Sequence, residues 1–321
     1  MTTALLRALL LLTGLTSALI AGAIGTQRSS PPADWLAYTG TEVLQVFDAA
    51  HGLAARLRVD LPPHTTLNYY NWDAGGHLVF AVAEAGQGDI YLTDLTGYIN
   101  LSDHPANDVQ PALSRDGRVA FVSDRDGNDE IYVWQAGALT NLSQSPEPDF
   151  QPAWSADGRL AWIHAENKLL VYDGGRIEQV AVERGRWVVS PAWSADGRLA
   201  WCAYFGLRCD IMLWDGVSVS RVYRATSFSR PVWSADGRLA FKSDRLTLSV
   251  WDGERIESFQ PSAANIGFPA WDAGGWLTFQ SLQAGPAGQS FRSRLYRWAG
   301  GAAHLLLEAE RIESPVWMPA G

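Results

Sequence analysis

Short apolar runs alternate with polar turns from Trp35 to the end of the chain, and their arrangement repeats. One unit shows it best, with runs at Phe150 to Trp154, Leu160 to Ile163, Leu169 to Tyr172 and Ile177 to Val182. Each run has strand length. Between them stand Ala156-Asp157-Gly158 and Asp173-Gly174, residue types that accept the positive φ of tight hairpins. The pattern predicts four short antiparallel strands per unit, which is the make-up of a propeller blade.

The period is carried by the heptapeptide Trp-Ser-Ala-Asp-Gly-Arg-Leu, which occurs unaltered at 154–160, 193–199 and 233–239. Looser copies begin at Trp72, Leu113 and Trp271, and a truncated one at Trp317, giving spacings of 38 to 46 residues. A repeat near that length signals a blade or solenoid array. Proline stands two residues before the repeat position at Pro111, Pro152, Pro191, Pro231, Pro269 and Pro315. Proline cannot donate to a ladder, so this strand is expected at a blade edge. In a propeller the first strand lines the channel, which places Pro-x-Trp innermost with the tryptophan as a wedge between blades.

Seven such innermost strands are expected, and the last, near residue 317, has nothing after it. Residues 35–38, 43–47 and 53–59 read as second, third and fourth strands of a unit without a first. The C-terminal strand is therefore expected to join the N-terminal three. The prediction is an all-β, seven-bladed propeller closed from both chain ends, which removes open sheet edges. Six blades follow instead if residues 34–60 do not pair.

Pro-Ala-Trp-Ser-Ala-Asp-Gly-Arg-Leu-Ala-Trp and the stretch from Phe121 to Trp134 resemble the TolB-type, WD-like propeller repeat, over nearly all of 34–318. Trp214-Asp215 and Trp251-Asp252 end third strands as in WD repeats, without the histidine of that pattern. The resemblance implies protein–protein interaction as the usual work of such a domain. TolB-type proteins also carry a separate α/β domain before the propeller. Only some ten residues separate the apolar N-terminus from the first strand here, so such a domain and a Tol-system role are not expected.

Residues 8–25 are uncharged, preceded by Arg7 and followed by a polar, proline-containing stretch. As a helix they would extend about 27 Å, enough to cross a bilayer core. Ala21-Gly22-Ala23 also fits a signal-cleavage site. Two readings stand, a cleaved signal and a retained anchor, and both export the remainder to a periplasmic or extracellular compartment. The division expected is 1–27 as signal or anchor helix, 28–33 as linker and 34–321 as propeller. Cys202 and Cys209, opposed if Phe205-Gly206 forms the hairpin turn, are a disulfide candidate in such a compartment.

The formal net charge is −9 and lysine occurs only at 168 and 242, so a nucleic-acid partner is not expected. No linear enzyme signature is present, and the histidines and two cysteines do not assemble a metal set or a cofactor motif. Asp124 to Glu130 resembles a calcium loop but lacks the bidentate glutamate of an EF-hand. Asp116, Asp157, Asp196 and Asp236, each followed by Gly-Arg, read as hairpin caps pairing locally with that arginine. Asn100-Leu-Ser102 and Asn141-Leu-Ser143 match glycosylation acceptors, but they lie one repeat apart and the period explains them.

The turns that enter the innermost strands gather at one mouth of the channel, the default binding site. Position-specific residues there are Asp108, Gln110, Asp149, Gln151, Trp187 and Arg230, with the longer connection 282–290 on the same face. The function expected is an exported, noncatalytic platform for a protein partner or an extracellular ligand. The alternatives are a glycan- or peptide-active hydrolase built at that mouth around Asp108, Asp149 and Arg230, and the sensor part of an envelope system.

Overall fold

The computed structural model describes residues 35–39, 43–48, 58–60 and 65–317, apart from 74, 85, 95–96, 262–264, 284–291, 299 and 310–312. The apolar segment 8–25, the linker and most of the connection 282–290 lie outside the described residues. No described helix is long and apolar enough to cross a membrane.

Six blades are each made of four consecutive antiparallel strands. Blade I comprises Thr65–Trp72, Leu78–Glu84, Gln87–Thr93 and Tyr98–Asn100; blade II comprises Asp108–Leu113, Val119–Ser123, Glu130–Gln135 and Ala138–Asn141. Blade III comprises Asp149–Trp154, Leu160–His164, Lys168–Asp173 and Arg176–Val182, and blade IV Trp187–Trp193, Leu199–Phe205, Arg208–Trp214 and Val219–Ala225. Blade V runs through Val232–Trp233, Leu239–Lys242, Leu248–Trp251 and Ile256–Phe259, and blade VI through Asn265–Trp271, Leu277–Gln283, Arg292–Trp298 and His304–Ala309. A further four-stranded sheet is composite: Glu313–Trp317 pairs antiparallel with Trp35–Thr39, which continues into Val43–Asp48 and Arg58–Asp60. The pairing of the two chain ends sets Leu36 opposite Trp317 and Ala37 opposite Val316.

The strand that ends at the repeat tryptophan, or at Leu113 in blade II, is an edge strand of every sheet. Each such strand touches the next, and Glu313–Trp317 touches Thr65–Trp72, so these strands form the inner ring. In blades III to V the second strand is more buried than the first, and the fourth is the least buried. In blade II the second strand is buried at every position, whereas the fourth strand of blade III is exposed over its first four residues.

The core lies between blades, because each sheet presents apolar side chains on both faces. Ala161, Ile163 and Leu169 of blade III pack with Val188, Leu199 and Trp201 of blade IV. The composite sheet is flanked in the same way: Ala37 and Val46 pack on Tyr70, Trp72 and Phe80 of blade I, and Leu36 and Trp317 on Leu295 of blade VI.

The repeated turn after the inner strand has one construction. In blade III, Ser155 receives a hydrogen bond from the Gly158 amide and donates its own amide to the Arg159 carbonyl. Its hydroxyl donates to Asp157, and Asp157 accepts from Arg159 Nε at 3.1 Å. Asp116, Asp196 and Asp236 do the same with Arg118, Arg198 and Arg238, as the Ser-x-Asp-Gly-Arg spacing predicts. The hydrogen bonds from Arg159 and Arg198 hold Asp157 and Asp196 below the usual carboxylate range, outweighing partial burial.

Candidate functional site

The inner strands run from an upper mouth of the channel, where they begin, to a lower mouth, where they end in the repeat tryptophan. At the upper mouth each full inner strand contains a bulge: the register with the second strand shifts between Val109 and Ala112, Phe150 and Ala153, and Val189 and Ala192. Gln110, Gln151 and Ser190, the residues before the prolines, have φ of 54°, 51° and 55°, which is uncommon for non-glycine residues. The bulge releases the backbone amide toward the preceding blade. Gln151 N–H donates to Gln110 Oε1 and Ser190 N–H to Gln151 Oε1, both at 2.7 Å. Gln110 and Gln151 thus lace neighbouring blades around the channel.

Asp108 and Asp149 are completely buried. Asp108 accepts both oxygens' bonds from Arg125 Nη2 at 3.0 and 3.1 Å. Asp149 Oδ1 accepts from Trp162 Nε1 and faces His164 Nδ1, both at 3.0 Å, while its Oδ2 has no hydrogen-bond partner. Burial raises the Asp149 carboxyl above its ordinary range, and His164 opposes the rise. Ser145 Oγ approaches the same nitrogen of His164 at 3.4 Å. Serine and aspartate therefore share Nδ1, and the imidazole cannot relay a proton from one to the other.

Trp187 is 56% exposed at the start of blade IV, and Arg230 is exposed with its Cζ 4.8 Å from the Phe268 ring centroid. Among the described residues no hydrogen bond or ion pair joins either to the buried pair of aspartates. The loop of Asp124 to Glu130 is spent on local bonds: Asp124 accepts the Asn107 amide, Arg125 holds Asp108, and Asp126 accepts from Tyr132 and Asn141.

A cavity of about 380 Å³ opens at the lower mouth. Its ring consists of Trp72, Trp154, Trp193, Trp233, Trp271 and Trp317, with Leu113 at the blade II position. Ala156, Ala195, Ala235 and Ala273 frame the opening, and Arg115 replaces alanine in blade II. Three of the indoles are held from both sides. Trp193, Trp233 and Trp271 donate from Nε1 to the Ala153, Ala192 and Val232 carbonyls of the preceding blade at 3.0, 3.0 and 3.2 Å. Arg118, Arg159, Arg198 and Arg238 reach forward to lie over Trp154, Trp193, Trp233 and Trp271, with Cζ 4.2 to 4.6 Å from the ring centroids. Each of these arginines also donates through Nη2 to the glycine carbonyl of the next turn at 3.0 to 3.3 Å.

Sequence reasoning placed the binding site at the upper mouth because those positions vary from blade to blade. The cavity lies at the other end, bounded by the repeated heptapeptide and its looser copies. One signal for it was in the sequence: Arg115 breaks the alanine series.

These features define the class, a β-propeller of four-stranded antiparallel blades with a tryptophan-ringed channel, and its fold is TolB-like. Among solved structures, TolB from Acinetobacter baumannii matches at TM-score 0.54 and 16% identity, covering 95% of this chain and 71% of that one. An oligogalacturonate lyase from Vibrio parahaemolyticus matches at TM-score 0.53 and 13% identity, over 76% of this chain and 74% of that one. A puromycin-hydrolyzing peptidase of Mycobacterium tuberculosis matches at TM-score 0.57 and 16% identity, over 87% of this chain and 53% of the peptidase. At such identities the likeness is one of fold. No protein-family model matches the sequence, and no curated protein does.

Proposed function

We propose that this chain is an exported, noncatalytic propeller serving as a rigid platform for a protein partner or an extracytoplasmic ligand received at the lower mouth. The observation that carries the reading is the preformed cavity of about 380 Å³, whose indoles are held in place before anything binds. Aromatic faces fixed in this way bind without further ordering cost. The composite sheet counts in this reading as a seventh blade, supported by the apolar clusters on both its flanks. Export is supported by the apolar stretch 8–25 and by the bond between Cys202 and Cys209, which suits an oxidising compartment.

The hydrolase reading has less behind it. Asp108 is neutralised by Arg125, and Asp149, His164 and Ser145 do not form a relay. The test is to fill the opening with Ala195→Trp and Ala235→Trp in the full-length protein and compare capture of envelope components with that by wild type. Loss of a captured component with an unchanged unfolding midpoint is the expected outcome. Retention by the filled variants overturns the lower mouth as the site, and glycan or peptide hydrolysis that disappears with Asp149→Asn establishes the enzyme instead.

A further inference from the structure

The upper rim of blade IV differs from the rest of this acidic chain. Phe205 and Leu207 are 66% and 80% exposed, next to the exposed Trp187. The register explains why they gather: Trp187 lies opposite Tyr204, Tyr204 opposite Cys209 and Phe205 opposite Arg208, leaving Gly206-Leu207 as the outermost turn. Arg184 and Arg208 are exposed beside them. Arg186, Arg221 and Arg224 converge on the buried carboxylate of Asp210 at 2.6, 3.3 and 2.8 Å. Counted with the neighbouring Glu166 and Glu183, five arginines stand against three carboxylates, in a chain of net charge −9.

The surface projects rather than encloses. Gly206, at φ 62°, has open space where a side chain would stand, and the disulfide between Cys202 and Cys209 ties the hairpin just beneath the tip. A protein partner would need a pocket cut to this point, whereas a bilayer interface accepts a convex apolar tip collared by cations. Phenylalanine and leucine enter the acyl boundary, tryptophan sits at the headgroups and guanidiniums pair with phosphates. The acidic remainder is repelled from an anionic surface, which orients the molecule tip-first.

We propose that the upper rim of blade IV docks on an anionic phospholipid bilayer through Trp187, Phe205 and Leu207, with its arginines on the lipid phosphates. This goes beyond the platform reading and leaves the lower mouth facing away from the membrane. The test is flotation of the full-length protein with vesicles of phosphatidylcholine alone or mixed with phosphatidylglycerol. The N-terminal apolar stretch is common to every variant, so the reading is the difference between wild type and variant on the same vesicles.

Phe205→Ser with Leu207→Ser, and separately Arg184→Gln with Arg208→Gln, should each weaken binding to the anionic vesicles about tenfold or more. Salt should narrow the difference between wild type and variants on the anionic vesicles. All four positions are exposed, so the unfolding midpoint should stay at the wild-type value. Unchanged flotation of both double variants overturns the proposal, as does a difference between wild type and variants that is equal on the two vesicle types. Capture on polyglutamate beads that the variants lose, with vesicle binding unaltered, also overturns it and assigns the surface to an acidic polypeptide.

Discussion

Arg159 of blade III lies over Trp193 of blade IV, its Cζ 4.5 Å from the ring centroid, while its Nε holds Asp157 in its own turn and its Nη2 reaches the Gly197 carbonyl at 3.3 Å. One side chain thus joins a local turn, the next blade's backbone and the next blade's indole. The guanidinium suits this because its donors diverge in a fixed plane that also stacks. Arg159→Ala should therefore cost about 1–2 kcal/mol of stability, from one partly buried cation–π contact and its hydrogen bonds. Arg159→Lys should recover little of the loss, since an ammonium cannot serve Asp157 and Gly197 together while stacking. Urea unfolding of both variants, with a double-mutant cycle against Trp193→Phe, checks the coupling.

The same clasp ranks the turn glycines. Gly197 and Gly117 share a left-handed backbone, with φ of 85° and 81°, so alanine is strained at both. A Cβ on Gly197 would come within 2.7 Å of Arg159 Nη2, whereas one on Gly117 would meet nothing within 4 Å. The difference arises because blade I has His77, bonded to Asp73 at 2.6 Å, where blades II to V have the reaching arginine. Gly197→Ala should be the more destabilising by about 1 kcal/mol, the worth of the displaced hydrogen bond. Equal unfolding midpoints for the two variants would refute the clasp.

The period of Trp154, Trp193 and Trp233 and the proline two residues before each made the inner strands legible, because a missing N–H is a strong constraint on strand position. Pairing of the two chain ends followed from strands without a partner at each terminus. The Asp157–Arg159 pair was legible from its spacing, but the reach of Arg159 to Gly197 was not. An inter-blade contact depends on how far one sheet is rotated from the next, and no local pattern encodes that angle. For the same reason the sequence shows Gln110 and Gln151 as candidate ligand positions but not that their Oε1 atoms accept the amides that the bulges turn aside. Asp149 was visible as a carboxylate near the channel, but its burial against Trp162 and His164 was not.

Asp210 makes stability depend on pH. Burial acts to raise its carboxyl, but hydrogen bonds from Arg224 and Arg186 and their charges outweigh it and hold the group well below the ordinary carboxylate range. With the folded value depressed below an unfolded one of about 4, the stabilisation is complete above that pH and drains as pH falls through the folded value. Asp210→Asn should cost about 1–3 kcal/mol at neutral pH, the worth of charged hydrogen bonds to arginines that keep partial access to water. The gap between wild type and variant should narrow steadily in acid. Chemical denaturation at several pH values measures it, and a gap that widens on acidification would be inconsistent with the depressed carboxyl.

Cys202 and Cys209 are bonded and fully buried, with Cα atoms 5.6 Å apart, but they are not the opposed pair that a Phe205-Gly206 turn predicts. Phe205 instead pairs with Arg208, so the turn is Gly206-Leu207 and Cys202 faces Ile211 while Cys209 faces Tyr204. The two cysteines form a diagonal on one face of the hairpin, close enough for the bond because the strands twist. A sequence separation of only 7 closes a small loop, so the chain-entropy contribution is modest, about 2 kcal/mol. Replacing both by alanine should lower stability by about that amount, and reductant should then shift the wild type but not the variant. Hydrogen exchange should quicken first in the strands Leu199–Phe205 and Arg208–Trp214, because the bond ties those two strands to each other and to no other blade. Acceleration spread evenly over all blades would mean that the bond supports the ring rather than the hairpin.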